Sequence, residues 1–215
     1  MSALVPAVAA AVPLAAGWTA HTVWLRRRLA AARRDPLTGL ATREEFEHTA
    51  ARILARHAAV VVVVDLDGFK ALNDTFGHAA GDEALRATAA SLTDALERSP
   101  GGIAARLGGD EFAAAVPGPV VLPWLLGALH GEITAPLHYQ GHTLTVGASV
   151  GAVATVPGAG LSWALRRADE AMYAAKRHGG GWRIADTSTS PVATVNGRRA
   201  GRPGTHQPTG KEGQP

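Results

Sequence analysis

Cysteine is absent from the 215 residues. That absence removes disulfides, thiolate nucleophiles and Cys-ligated zinc from consideration, and it fits a reducing compartment. Acidic residues are missing from the first 34 positions, which carry five Arg. Charge of either sign is missing from residues 3–25. Large apolar residues are nearly missing from 187 onward, where Thr, Ser, Pro, Gly and Arg dominate. Such a composition cannot bury a core, and residues 186–215 read as a disordered tail. No internal repeat is visible.

What is present divides into unequal parts. Apolar residues make up 47% of the chain, enough for the core of one domain over residues 35–185. The formal net charge of +3 conceals a basic start and a basic tail around a middle with 12 Lys/Arg and 16 Asp/Glu. An acidic middle argues against a broad nucleic-acid footprint, so no specific nucleic acid is expected as a partner. If such a domain handles a polyanion, it needs metal ions or a few well-placed cations to offset repulsion.

As a helix, residues 3–25 would reach roughly 34 Å, against a bilayer core of about 30 Å. Arg26, Arg27, Arg28, Arg33 and Arg34 follow at once, and the positive-inside rule then puts the rest of the chain in the cytoplasm. The expectation is a single-pass segment in the inner (cell) membrane, with residues 1–34 serving as anchor and basic linker helix. Pro6, Pro13, Thr19, His21 and Thr22 weaken the apolar run. The alternative is a helix lying on a membrane surface or against a partner, on a protein that is otherwise cytoplasmic. A signal peptide is disfavoured because no basic residue precedes the run. Asp35-Pro36 marks the domain boundary, since proline disfavours helix in the residue before it.

Within 35–185, residues 42–57 predict a helix with Thr42 as N-cap and Glu45 completing a capping box. The β-branched run 59–64 predicts a fully buried central strand. Residues 81–97, 120–133 and 161–177 predict helices. Residues 103–107 and 111–116 flank Gly108-Gly109-Asp110 and predict a β-hairpin turning at the glycines. Residues 143–154 predict one strand, in which Gly147 leaves a gap that weakens packing. Gly179-Gly180-Gly181 ends the last helix, and residues 182–186 predict a short edge strand. The pattern is that of an α+β domain with a mostly antiparallel central sheet flanked by helices.

The chemistry concentrates at two places. Asp65 follows five valines, and a carboxylate at the end of a buried strand is costly unless it is compensated. Asp67, at i+2, lies on the same face. Strand-end carboxylates of this kind hold Mg²⁺ in phosphoryl chemistry, although Asp65 alone is equally an acid capping the next loop. Turn geometry accounts for Gly108 and Gly109 but not for two successive acids, Asp110 and Glu111, followed by Phe112. With Asp65 on a neighbouring strand, these carboxylates could converge on one or two divalent cations.

Arg106-Leu107-Gly108-Gly109-Asp110-Glu111-Phe112 resembles the signature of GGDEF-domain diguanylate cyclases. The resemblance extends through Asp35-Pro36-Leu37-Thr38-Gly39-Leu40 with Arg43, Asp65-Leu66-Asp67-Gly68-Phe69-Lys70, Asn73-Asp74-Thr75-Phe76-Gly77-His78, Gly81-Asp82, Ser149-Val150-Gly151 and Ala168 to Lys176. It covers about residues 35–182 in order and spacing, which is far more specific than five letters alone. It implies a palm-like nucleotidyl-cyclase fold and condensation of two GTP into cyclic di-GMP and pyrophosphate. A homodimer is implied, with residues 17–34 as the natural pairing helix.

The resemblance also implies roles. Asp65, Asp110 and the Leu66 carbonyl would bind Mg²⁺ or Mn²⁺, and Glu111 would assist at the metal or in deprotonating the 3′-hydroxyl. Asn73 and Asp82 would read the guanine edge, with His78 near base or ribose. Lys70 and Lys176 would contact phosphates, helped by backbone N–H groups near Gly68 and Phe69 and by the Gly108-Gly109 turn.

The chain departs from the family pattern at two points. The positions of the product-inhibition Arg-x-x-Asp hold Ser99 and Gly102, so feedback through that site is not expected. An Arg after the last helix is replaced by Gly180, with Arg183 the nearest substitute. These departures keep an alternative open: a weak or inactive domain that signals by binding GTP or cyclic di-GMP. A related cyclase acting on ATP is disfavoured by Asn73 and Asp82.

Overall fold

The computed structural model describes residues 33–187, together with Trp18, His21, Thr22, Trp24 and Arg28. The anchor expected over 3–25 and the tail expected from 186 therefore lie almost wholly outside the described residues. Among the described residues no helix is long and apolar enough to cross a membrane.

The valine run organises everything around it. It forms the centre of β1 (Ala59–Asp67), which is buried along almost its whole length. Strands buried on both faces read as continuous apolar runs, and β1 has helices on each side. Val60, Val62, Val64 and Leu66 point toward α3 (His78–Glu97) and α4 (Leu122–Ile133). Val61 and Val63 point toward α1 (Arg43–Arg56) and α5 (Leu161–Arg177). By the same alternation Asp65 and Asp67 continue the α1/α5 face.

The sheet has the order β2-β3-β1-β6-β7. Strands β2 (Ile103–Gly108) and β3 (Glu111–Pro117) form the expected hairpin, and β3 and β6 (Gly147–Thr155) flank β1, all antiparallel. The edge strand β7 (Gly181–Ile184) runs parallel to β6. The α+β class with a mostly antiparallel sheet is thus borne out.

Four local expectations are corrected. The strand expected over 143–154 is broken: β5 (His142–Leu144) leaves to pair with β4 (Leu137–Tyr139) in a separate two-stranded ribbon. Strand β6 starts at Gly147 because its partner β1 ends there, with Asp67 opposite Gly147. The helix expected from 81 begins at His78, preceded by a short helix α2 (Phe69–Phe76) held between Gly68 and Gly77, both with positive φ. The Thr42 side chain accepts from the Glu45 amide, but Glu45 does not return the bond. The Thr42 amide donates to the Arg33 carbonyl instead, and Glu45 pairs with Arg33 at 3.3 Å. Finally, Gly147 is no packing defect: a Cβ there would stand 3.0 Å from the Asp67 Cβ, so glycine makes room for that carboxylate.

Candidate active site

The ends of β1 and β3 bring the acids together. Gly108 pairs with Glu111, leaving Gly109 and Asp110 as a two-residue loop. Gly109 has a φ of 54°, the left-handed conformation that such tight turns require. Asp65 lies in register with Glu111, and directly opposed residues share a face. The Leu66 amide donates to the Asp110 carbonyl at 3.3 Å, which ties the turn to the strand end. An extended residue directs its N–H and C=O to the same neighbour, so the Leu66 carbonyl also faces the Asp110 turn. Asp65, Leu66, Asp110 and Glu111 therefore adjoin at one strand end.

Two arginines hold the signature turn from the side of the domain's first residues. Arg106 donates through Nε and a terminal nitrogen to the Gly109 carbonyl at 3.0 and 2.8 Å, and its other terminal nitrogen lies 3.4 Å from Asp35. Arg43, at the start of α1, donates to the Leu107 carbonyl at 3.2 Å and stands 3.9 Å from Glu111. Burial pushes the Asp35 carboxyl up. Hydrogen bonds from the Thr38 hydroxyl and amide, and the Arg106 guanidinium, outweigh that and leave it below the usual carboxylate value. Sequence reasoning matched Arg43 and Arg106 to motifs but gave them no role.

On the other side of Asp65 stands Lys176, in the last turn of α5. Its ammonium is 2.5 Å from Asp65 and 4.0 Å from Asp67. The Ser149 hydroxyl lies 2.9 Å from each Asp67 oxygen and donates to one at a time. Asp67 and Ser149 are thus further members of the site; strand alternation had placed Asp67 beside Asp65, whereas Ser149 was legible only as a position in a motif. Gly180 packs behind Asp67: a Cβ there would stand 3.0 Å from its Oδ2. Arg183 is exposed on β7 in register with Gly151, two residues further from the strand end than Ser149.

The remaining expected residues gather over the opposite face of the sheet. Gly68, with a φ of 74°, caps α2, whose first turn begins at Phe69 and presents N–H groups of the kind that receive phosphate. Asn73 lies against Gly81 of α3, where a Cβ would come within 2.0 Å of its Oδ1. Asp82 follows Gly81 and is half-buried, while His78 opens α3 one turn earlier and is exposed. Lys70 is not turned inward: its ammonium pairs with Asp74 at 2.6 Å on the exposed flank of α2. Exposed pairs of this type hold a lysine weakly, about 0.3–0.5 kcal/mol.

Among the described residues no three His, Asp or Glu side chains stand close enough to hold a metal ion by themselves. The donor set still fits Mg²⁺, which takes hard oxygens and is usually held by one or two carboxylates plus substrate phosphates. Asp65, Asp110 and the Leu66 carbonyl are such donors, and Asp65 is 7% exposed at a strand end.

A mostly antiparallel sheet with acids at its strand ends, beneath a helix pair carrying Asn73 and Asp82, is a palm-like nucleotidyl-cyclase fold. The family model described as "Diguanylate cyclase, GGDEF domain" matches residues 32–181, and the chain belongs to this family. It is 50% identical over 176 residues to an uncharacterised 19.3 kDa protein of Streptomyces ambofaciens, covering 80% of this chain and 93% of that protein. It is 37% identical over 156 residues to the diguanylate cyclase DgcP of Pseudomonas aeruginosa, covering 67% of this chain but 22% of DgcP. The coiled coil and GGDEF domain of DgcB from Caulobacter crescentus, solved with c-di-GMP, superposes with a TM-score of 0.71 at 28% identity. That match covers 86% of this chain and 99% of DgcB's.

Proposed function

We propose that this protein is an active diguanylate cyclase that condenses two GTP into cyclic di-GMP as a homodimer. The observation that carries the reading is the adjacency of Asp65, Leu66, Asp110 and Glu111 at one strand end. Asn73 and Asp82 stand across α2 and α3 as a guanine reader. A carboxylate at Asp82 accepts from guanine N1–H and the 2-amino group together, a pair that adenine does not offer. The first turn of α2 and Lys176 receive phosphate oxygens.

The reaction is attack of a 3′-hydroxyl on the α-phosphorus of a second GTP, performed twice, with pyrophosphate leaving. Bound Mg²⁺ or Mn²⁺ supplies charge neutralisation on the phosphates and a more acidic hydroxyl. The protein's part is positioning: the Arg106 and Arg43 bonds fix the turn, and the turn fixes Asp110 and Glu111. Residues 3–25 as a membrane anchor, with the domain in the cytoplasm, remain part of the proposal. Each domain carries one such set of residues, so two domains must face each other.

The test is incubation of the purified protein with GTP and Mg²⁺, followed by chromatography of the nucleotides. The expected product is cyclic di-GMP, and Asp110→Ala should lower its rate roughly a hundred- to a thousandfold. GTP binding without product, at concentrations that secure the dimer, would replace the enzyme with a nucleotide-binding signalling module. Gly180 in place of the family's arginine is the feature that favours this second reading.

A further inference from the structure

Asp65 raises a problem that the proposed chemistry does not solve. The carboxylate closes a buried run of valines and is itself 7% exposed. An uncompensated charge in such a place costs several kcal/mol. Something must neutralise it whenever no metal is bound, and the structure holds a cation on it: the Lys176 ammonium, 2.5 Å from Oδ1.

We propose that Lys176 is the resident counter-cation of this strand end, and that a divalent cation must displace it to bind, which makes metal binding depend on nucleotide. The inference rests on the reading of Asp65 as a metal ligand in a GTP site. Two cations cannot share one carboxylate oxygen at contact distance without strong repulsion. A free divalent ion therefore competes with the ammonium and binds weakly. A metal-bound triphosphate arrives with its own anionic oxygens, which accept the displaced ammonium, so the exchange costs little. Coupling of this kind is reciprocal, with metal and nucleotide each tightening the other.

Three features of the site suit it to the exchange. The Lys176 side chain is 45% exposed, so its head group can leave Asp65 by rotamer changes alone. Its helix does not need to move, because α5 is seated on β6 where Gly151 meets the Ala168 carbonyl and the Met172 backbone. Asp67 offers a second acceptor 4.0 Å from the ammonium, steadied by Ser149. Among the described residues no other cation pairs with Asp65 or Asp67.

The experiment measures Mn²⁺ binding without nucleotide, by titration calorimetry and by loss of the free-ion electron paramagnetic signal. The full chain is compared with Lys176→Met, Lys176→Gln and Lys176→Arg. Removing the competitor in Lys176→Met should tighten Mn²⁺ binding about tenfold, the low end of what neighbours of metal ligands contribute. Lys176→Gln should do the same should the methionine variant fold poorly, and Lys176→Arg should stay near the wild type. Adding Asp65→Asn to Lys176→Met should abolish the gain. Equal or weaker Mn²⁺ binding in both neutral variants, or no binding in any protein, overturns the inference. GTP turnover separates the two readings: product formation with unchanged Mn²⁺ affinity sinks the exchange alone. Tightening without product supports the exchange and sinks the enzyme.

Discussion

Two glycines show how one added methyl group does opposite things according to what it meets. At Gly151 a Cβ would stand 2.0 Å from the Ala168 carbonyl oxygen and 2.2 Å from the Met172 amide nitrogen. Both are helix backbone, so α5 as a whole would have to lift from the sheet. Gly151→Ala should therefore destabilise the protein by about 2–3 kcal/mol, read from urea unfolding. At Gly81 the Cβ would strike the Asn73 side chain, which can swing aside. Alanine also favours the helix over glycine by about 1 kcal/mol. Gly81→Ala should thus leave stability level or slightly raised while weakening GTP binding about tenfold, a loss of about 1.4 kcal/mol. Undiminished GTP affinity would show that Asn73 does not read the base.

Among the elements, the sequence made legible whatever depends on local pattern. The valine run, the Gly-Gly hairpin and the amphipathic α5 each carry their signal within a few residues. The break before β6 does not, because residues 143–154 alternate without interruption. It is set by the length of β1, which ends at Asp67 and leaves earlier residues no partner in the main sheet. The site behaves alike. Its acids were legible from strand-end position and motif, whereas the contacts of Arg43 with Leu107, Arg106 with Asp35 and Lys176 with Asp65 span 64, 71 and 111 residues.

The Asp35–Arg106 link joins two such elements, the segment ahead of α1 and the signature turn, and it has a pH signature. The folded Asp35 carboxyl titrates below its ordinary value of 3.8. Its contribution is therefore full above the unfolded value and is lost as the pH falls through the folded one. The advantage of the wild type over Asp35→Asn in thermal stability should persist at neutral pH and shrink as the pH is lowered from 3.8. An advantage that stays constant under acid would mean that the Thr38 and Arg106 contacts do not discriminate between the charged and neutral carboxyl.

For the whole molecule, the proposed chemistry sets a requirement that one chain cannot meet. Each product contains two guanylates joined head to tail, and each bond needs a hydroxyl held by one domain against a phosphorus held by another. One domain offers a single strand-end acid set and a single Asn73–Asp82 pair. Turnover must then follow the population of dimers, not of chains. Where dimers are scarce, their number rises with the square of protein concentration, and where they dominate it rises linearly, by mass action. A logarithmic plot of cyclic di-GMP formation against protein concentration should have a slope of about 2 at low concentration and bend toward about 1 at high concentration. The bend should coincide with the dimerisation midpoint found by sedimentation. A slope of about 1 at concentrations where sedimentation finds only monomer would contradict the two-domain mechanism outright, because a lone domain would then be closing both phosphodiester bonds.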